Sequence, residues 1–125
     1  MKIQTGIDLC SIERIEQSLR SPRFIDRVFS HAEQALIDNR GIVFRASTAA
    51  ANFAAKEAFG KAMGTGIRGF SLSEVEILRD MLGKPILNLT GQAKLLALKQ
   101  GFTSFSVSLS HEREMATAIV IAYAE

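Results

Sequence analysis

The sequence predicts an α+β fold, in which a mostly antiparallel sheet packs against one long helix. Three observations support this prediction. Residues 2–9 alternate apolar and polar side chains, and two segments near the C-terminus alternate in the same way, as half-buried strands do. An alanine-rich segment from about Ser47 to Met63 has the composition of a helix, and Gly64 or Gly66 would end it. The length of 125 residues is typical of a single domain, and no repeat or linker divides residues 1–125.

Local signals indicate the shorter elements. Ser11 can cap a first helix that ends before Pro22, because proline disfavours a helical conformation in the residue before it. Ser30 and Glu33 form a capping-box signal for a second short helix that reaches about Asn39. The remaining predicted elements are a hairpin of residues 74–79 and 85–89, a helix over 91–100, and two strands over 102–110 and 115–123.

Composition narrows the possible functions. Apolar residues make up 47% of the chain, as in compact globular proteins, and the net charge of +2 is too small to indicate a nucleic-acid partner. Cys10 is the single cysteine, so no internal disulfide can form, which suits a reducing cytoplasm. Asp8 and Glu13 interrupt the N-terminus before a signal sequence could develop, and no apolar run approaches a membrane span. We therefore expect a cytoplasmic protein without a membrane partner.

Three separated motifs contain the candidate chemistry. They are Gly6-Ile7-Asp8, the segment Phe-Ala-Ala-Lys-Glu-Ala-Phe-Gly-Lys-Ala-Met-Gly-Thr-Gly over residues 53–66, and Ser-Leu-Ser-His-Glu over residues 108–112. Glu57 and Lys61 lie within about 40° of each other on the predicted helix. Taken alone, this spacing is typical of an exposed ion pair that stabilises a helix by about 0.2–0.5 kcal/mol. Asp8 alone is equally typical of a strand-end residue that caps the following helix.

Together, in this order and in a chain of this length, the motifs resemble the holo-acyl-carrier-protein synthases, the small bacterial 4'-phosphopantetheinyl transferases. The resemblance covers nearly the whole chain and is weakest between Asn39 and Thr48. It implies the phosphopantetheinyl transferase-like fold and transfer of the 4'-phosphopantetheine arm of coenzyme A to a serine of apo-acyl carrier protein. Adenosine 3',5'-bisphosphate would be released, and the reaction would serve fatty acid biosynthesis. The family commonly forms a homotrimer with active sites between subunits.

The resemblance also implies which residues perform the reaction. Asp8 and Glu57 would be catalytic carboxylates that bind Mg²⁺, a hard cation that prefers oxygen ligands. Lys61 would be the catalytic cation that neutralises the pyrophosphate. Either Glu57 or a metal-bound water would accept the proton of the serine hydroxyl. The expected coenzyme A contacts are Lys56, Lys61, Gly64, Gly66, Lys84, Pro85, Ser110 and His111.

Several of these residues also have a purely structural explanation. Gly64 and Gly66 would end the long helix, and Lys84 and Pro85 would belong to the turn of a hairpin. His111 ends a strand, and we expect its side chain on the polar side of that strand. It would then be a surface residue, unless it contacts the ligand.

An arginine-rich segment in and after the first predicted helix is the expected docking site for the carrier protein. By resemblance it would hold an acidic partner helix around an aromatic anchor, because arginine favours interface ion pairs. Acidic residues are interspersed in the segment, so a solvated charged surface remains an alternative. The expected docking residues are Arg14, Arg20, Arg23, Phe24 and Arg27.

One position departs from the family pattern. Many members have arginine immediately before the Phe-Ala-Ala-Lys-Glu run, whereas this chain has Asn52. We expect Asn52→Arg to tighten coenzyme A binding, unless the position has a structural role. Two other functions stay open: a non-catalytic relative that binds carrier protein or nucleotide, and a nucleic-acid-binding domain, which the acids among the arginines disfavour.

Overall fold

The chain folds into two antiparallel sheets that pack around a central helix, which confirms the predicted α+β class. The computed structural model describes all residues, Met1–Glu125. The strands are β1 (Lys2–Ser11), β2 (Val75–Arg79), β3 (Pro85–Leu89), β4 (Ser104–Glu112) and β5 (Met115–Ala124). The helices are α1 (Ile12–Ser18), α2 (Pro22–Val28), α3 (His31–Asp38), α4 (Gly41–Met63) and α5 (Gly91–Lys99), with a 3-10 turn at Leu72–Glu74. No helix is both long and apolar enough to cross a membrane.

The larger sheet has the strand order β1-β5-β4, and its register places two site residues on one face. Asp8 pairs with Ala118, which pairs with Leu109 on its other side, so all three side chains point the same way. His111 lies two residues after Leu109 and therefore shares this face, which packs against α4. We expect His111 on the polar side of β4, and this prediction is wrong. Side chains two positions apart on a strand point the same way, so His111 points in the same direction as the inward residues of β4.

The central helix α4 begins at Gly41, earlier than predicted, and ends as predicted at Gly64, which has a left-handed φ of 76°. Its alanines are buried against the sheet and permit a close approach. Gly6 on β1 makes the approach closer still, since a Cβ added there would lie 1.9 Å from the carbonyl oxygen of Ala58. This contact places Asp8 beside the last turns of α4.

The sequence pattern does not predict helix α2. Pro22 is expected to stop the preceding helix, whereas in the structure it occupies the first turn of the next one. The Ser21 hydroxyl accepts a hydrogen bond from the Phe24 amide at 3.2 Å, and a cap residue followed by proline is a favoured helix start. The predicted capping box of α3 is confirmed at Ser30 and Glu33.

Candidate active site

The structure brings together the three residues that were expected to perform the reaction. Lys61 Nζ donates a hydrogen bond to Asp8 Oδ1 at 3.0 Å, where the Asp8 side chain is 12% exposed and that of Lys61 is 53% exposed. Burial raises the pKa of Glu57 above its ordinary value, and the negative charge of Asp8 raises it further. The positive charges of Lys61 and Arg14 oppose this rise. Asp8 and Glu57 therefore form a half-buried acidic pair whose charges are only partly compensated.

This acidic pair fits a magnesium ion that is shared with a substrate. The protein has no group of three or more histidine, cysteine, aspartate or glutamate residues that could enclose a metal by itself. Mg²⁺ is commonly held by one or two carboxylates, and waters and substrate phosphate oxygens complete its coordination. Asp8 and Glu57 offer only oxygen donors and leave room for such ligands, whereas zinc sites usually contain nitrogen or sulfur donors.

A basic cavity of about 240 Å³ lies beside the N-terminal half of α4. His111 and Pro85, two of the expected coenzyme A contacts, line this cavity. Arg40 and Arg79 line it as well, and the sequence did not predict them because neither belongs to a motif. No acidic side chain lines it. The complete lining is Arg40, Phe44, Ser47, Thr48, Ala51, Arg79, Gly83, Pro85, Leu109 and His111.

The acidic pair and the basic cavity lie on opposite flanks of α4. Asp8 belongs to β1 and His111 to β4, the two edges of the three-stranded sheet, which are about 10 Å apart. On the helix itself, Glu57 is about 120° around the axis from Ala51, which lines the cavity. Within one protomer, the cavity and the carboxylates therefore lie on different sides of the helix.

Lys56 requires a correction. Its ammonium group is fully buried and donates to Glu33 Oε1 at 2.6 Å, to the carbonyl oxygen of Val75 at 2.6 Å and to that of Leu72 at 3.0 Å. An ammonium has three protons, and all three are used inside the protein. Lys56 therefore cannot contact coenzyme A as expected, and instead joins α4 to α3 and β2.

Asn52 belongs to the same buried network. Its Nδ2 donates to Glu33 Oε2 at 3.0 Å and to the carbonyl oxygen of Ile77 at 2.9 Å, while its Oδ1 accepts a hydrogen bond from Arg79 Nη2 at 2.9 Å. The side chain is fully buried. The expectation that Asn52→Arg would tighten ligand binding is therefore not supported, because position 52 contains a structural contact and has no free space for a larger side chain.

The remaining expected ligand contacts do not converge in one protomer. Ser110 pairs with Thr117 and faces away from α4, on the opposite side of the sheet from His111. Gly64 and Gly66 form a loop that folds back onto the helix, where the amides of Thr65 and Gly66 donate to the carbonyl oxygen of Gly60. Lys84 lies at the exposed hairpin turn beside the basic cavity.

The largest cavity, about 810 Å³, lies at the expected docking segment. Arg23, Phe24 and Arg27 line it together with Phe53 and Phe70. The rings of Phe24 and Phe53 are 6.1 Å apart and form its apolar floor. Arg14 and Arg20 do not line it; Arg14 lies instead close enough to Glu57 for its positive charge to oppose the rise in the pKa of Glu57.

Comparison with known proteins identifies the family. The model of the 4'-phosphopantetheinyl transferase superfamily matches residues 4–121, which is nearly the whole chain. The chain belongs to the 4'-phosphopantetheinyl transferase superfamily. Within this superfamily, it is 45% identical over 123 residues to the holo-[acyl-carrier-protein] synthase of Clostridium beijerinckii, covering 97% of each chain. It is 46% identical to that of Syntrophus aciditrophicus over 94% of this chain and 92% of the relative.

Solved structures of phosphopantetheinyl transferases agree. The holo-[acyl-carrier-protein] synthase of Neisseria meningitidis superimposes with a TM-score of 0.86 at 33% identity, covering 97% of this chain and 98% of that one. The Helicobacter pylori enzyme, solved in complex with coenzyme A, gives a TM-score of 0.82 at 30% identity, covering 95% and 99%. The predicted fold and family are thus confirmed.

Proposed function

We propose that the protein transfers 4'-phosphopantetheine from coenzyme A to a serine of apo-acyl carrier protein and releases adenosine 3',5'-bisphosphate. The observation that supports this most directly is the grouping of Asp8, Glu57 and Lys61 in one half-buried site. The relatives that are similar over nearly the full chain are named for this reaction. We further propose that the reaction takes place in the cytoplasm and serves fatty acid biosynthesis.

In this proposal, Asp8 and Glu57 would hold a magnesium ion, which when bound stabilises negative charge on phosphoryl oxygens. The ammonium of Lys61, half exposed and fixed by Asp8, faces the space where the pyrophosphate would lie and offsets its charge. Glu57, whose pKa is raised by burial and by Asp8, is suited to accept the proton of the serine hydroxyl. A metal-bound water remains the alternative proton acceptor.

The basic cavity is the proposed binding site for the nucleotide end of coenzyme A. Two arginines offer positive charge, and together with the histidine they offer hydrogen-bond donors to phosphate, while Phe44 and Pro85 offer apolar surface to the adenine. Lys84, at the neighbouring turn, can approach the same ligand.

We also propose a homotrimer with active sites between subunits. The cavity and the acidic pair lie on different sides of α4, so a coenzyme A molecule would join the cavity of one subunit to the acidic pair of the next. The outer face of the three-stranded sheet offers the surface for such an assembly, because the apolar residues of β1 are exposed there: Ile3 by 54%, Ile7 by 62% and Leu9 by 61%.

The proposed carrier-protein site is the cleft lined by Arg23, Phe24 and Arg27. Its phenylalanine floor and arginine rim suit an acidic amphipathic helix, which places apolar residues into a groove and acidic residues against the rim. Arg14 lies near Glu57 and outside this cleft, so we propose that it acts at the acidic pair.

The experiment that tests the function is a transfer assay. The purified protein is incubated with coenzyme A, Mg²⁺ and apo-acyl carrier protein, and the carrier is weighed by mass spectrometry. We expect a mass increase of one phosphopantetheine group, which requires active enzyme and disappears when EDTA is added. Binding of coenzyme A and carrier protein without any mass increase would instead identify a non-catalytic relative.

A further inference from the structure

Arg79 is a fixed cation without an acidic partner. Its Nη2 donates to Asn52 Oδ1 at 2.9 Å and its Nη1 donates to the carbonyl oxygen of Leu78 at 3.1 Å, so both ends of the guanidinium are held by neutral acceptors. The salt bridges of the protein join Arg45 to Asp38, Lys56 to Glu33 and Lys61 to Asp8, and none involves Arg79. A half-buried, rigid and uncompensated guanidinium is suited to receive an anion.

The surroundings of Arg79 strengthen this conclusion. It lines the basic cavity together with Arg40 and His111, and that cavity contains no carboxylate. Burial and, to a smaller extent, the positive charge of Arg40 lower the pKa of Arg79 to about 10, although the negative charge of Glu33 opposes the change. The guanidinium is therefore still charged at neutral pH, and two like charges that share a cavity are stabilised when a dianion lies between them.

We propose that Arg79 binds the 3'-phosphate of coenzyme A and that Asn52 is a positioning residue that holds its guanidinium toward the cavity. This inference depends on the proposed function. A phosphate monoester can carry two negative charges and accept paired hydrogen bonds, which the planar fork of an arginine donates better than a single ammonium does.

The asparagine at position 52 would then act as the neutral acceptor that holds Arg79. An arginine there would place a second guanidinium directly against Arg79, whose Nη2 is already within 2.9 Å of the Asn52 side chain. Asparagine offers a neutral acceptor instead, and Glu33 and Ile77 fix the orientation of its amide. Arg79 at the end of β2 therefore supplies a cation that position 52 of α4 does not supply in this chain.

The test of Arg79 compares coenzyme A with dephospho-coenzyme A, which lacks the 3'-phosphate, by calorimetry. Arg79→Gln should weaken the binding of coenzyme A by about 10-fold to 100-fold, because a charge-assisted hydrogen bond is lost. The binding of dephospho-coenzyme A should stay within about 2-fold. Arg45→Gln, which removes an arginine paired with Asp38 outside the cavity lining, is the matched control and should have no effect.

Equal weakening for the two ligands, or none for either, would overturn the assignment of Arg79. A wild-type protein that binds neither ligand and transfers nothing would instead contradict the proposed function, so the two failures are distinguishable.

The role of Asn52 is tested by a double-mutant cycle with Asn52→Ala. Alone, this variant should lower the preference for coenzyme A over dephospho-coenzyme A, because Arg79 is no longer held in place. In the Arg79→Gln background it should leave that preference unchanged, since the residues act through one contact. A purely structural role would lower the melting temperature without changing the preference in either background, and that result would overturn the positioning role.

Discussion

Glu57 illustrates how one environment can serve catalysis at a cost to stability. Its pKa is raised in the folded protein, first by burial and then by Asp8, from an ordinary value of 4.5. The folded state therefore binds this proton more tightly than the unfolded state does. As the pH rises above about 4.5, ionisation of Glu57 weakens folding, and a bound cation would remove that penalty.

Glu57→Gln should accordingly separate activity from stability. We expect transfer to fall by at least about 100-fold, because a charged oxygen ligand of the reacting site is lost. In EDTA at pH 7, the melting temperature should rise by up to about 5 °C, and the gain should vanish below about pH 4. Calorimetric melting across this pH range measures the effect. Asp8→Asn should lower activity similarly, and normal turnover by both variants would contradict the assignment of the acidic pair.

The two lysines of the 53–66 motif should differ in what they do. Lys56→Met breaks a fully buried pair and leaves the Glu33 carboxylate without its cation, which should cost about 3–5 kcal/mol in urea denaturation. Lys61→Met removes a partly exposed pair and should change stability by at most about 1 kcal/mol, while it sharply lowers transfer. The reverse pattern would show that the roles of the two lysines are exchanged.

These residues show what the sequence could predict at this scale. Asp8, Glu57 and Lys61 were found because they belong to motifs with a recognisable order. Lys56 was misassigned and Arg79 was missed for one reason: the partners of both lie far away in the chain, on α3, α4 and β2. Residue spacing within one helix cannot show which side chains a second element brings to it.

At the scale of elements, the helix missed by the sequence analysis contributes to the proposed docking cleft. Arg23, Phe24 and Arg27 of helix α2 all line the cleft. A proline is favoured in the first turn of a helix, but it ends a helix that comes before it. Ser21, a capping residue just before Pro22, indicates the first of these two cases. The other elements were predicted to within a few residues, apart from the early start of α4.

Reversal of the arginine charges on α2 should act on the carrier protein and not on coenzyme A. With Arg23→Glu and Arg27→Glu combined, we expect the KM for apo-acyl carrier protein to rise by about 10-fold or more, since like charges would face an acidic partner. The salt dependence of the KM should weaken as well. Coenzyme A binding should be unchanged. Arg45→Glu, outside the cleft, is the control, and an unaffected KM in the double variant would remove α2 from the interface.

At the scale of the whole molecule, the proposed homotrimer would explain both the exposed apolar face of β1 and the separation of the two sites. Alternation in β1 predicted a strand correctly, but it could not show that Ile3, Ile7 and Leu9 face away from the core of their own subunit. In the proposed homotrimer, subunits would bury this face and share active sites. Composition cannot show which face of β1 is exposed, because this depends on the relative positions of complete elements.

Mixing of two inactive variants tests this arrangement. Asp8→Asn lacks a functional acidic pair, whereas a double variant with Arg40→Gln and His111→Gln lacks a functional basic cavity. Each should be inactive alone at limiting coenzyme A. When the two are unfolded together, refolded and assayed, an interface between one subunit of each kind can combine an intact acidic pair with an intact cavity. Random assembly in equal amounts should then recover about a quarter of the wild-type activity per site, because one arrangement in four joins the two intact halves.

Mixing without subunit exchange is the control and should recover nothing. If refolded mixtures also stay inactive while wild-type protein regains activity under the same treatment, each active site lies within a single subunit.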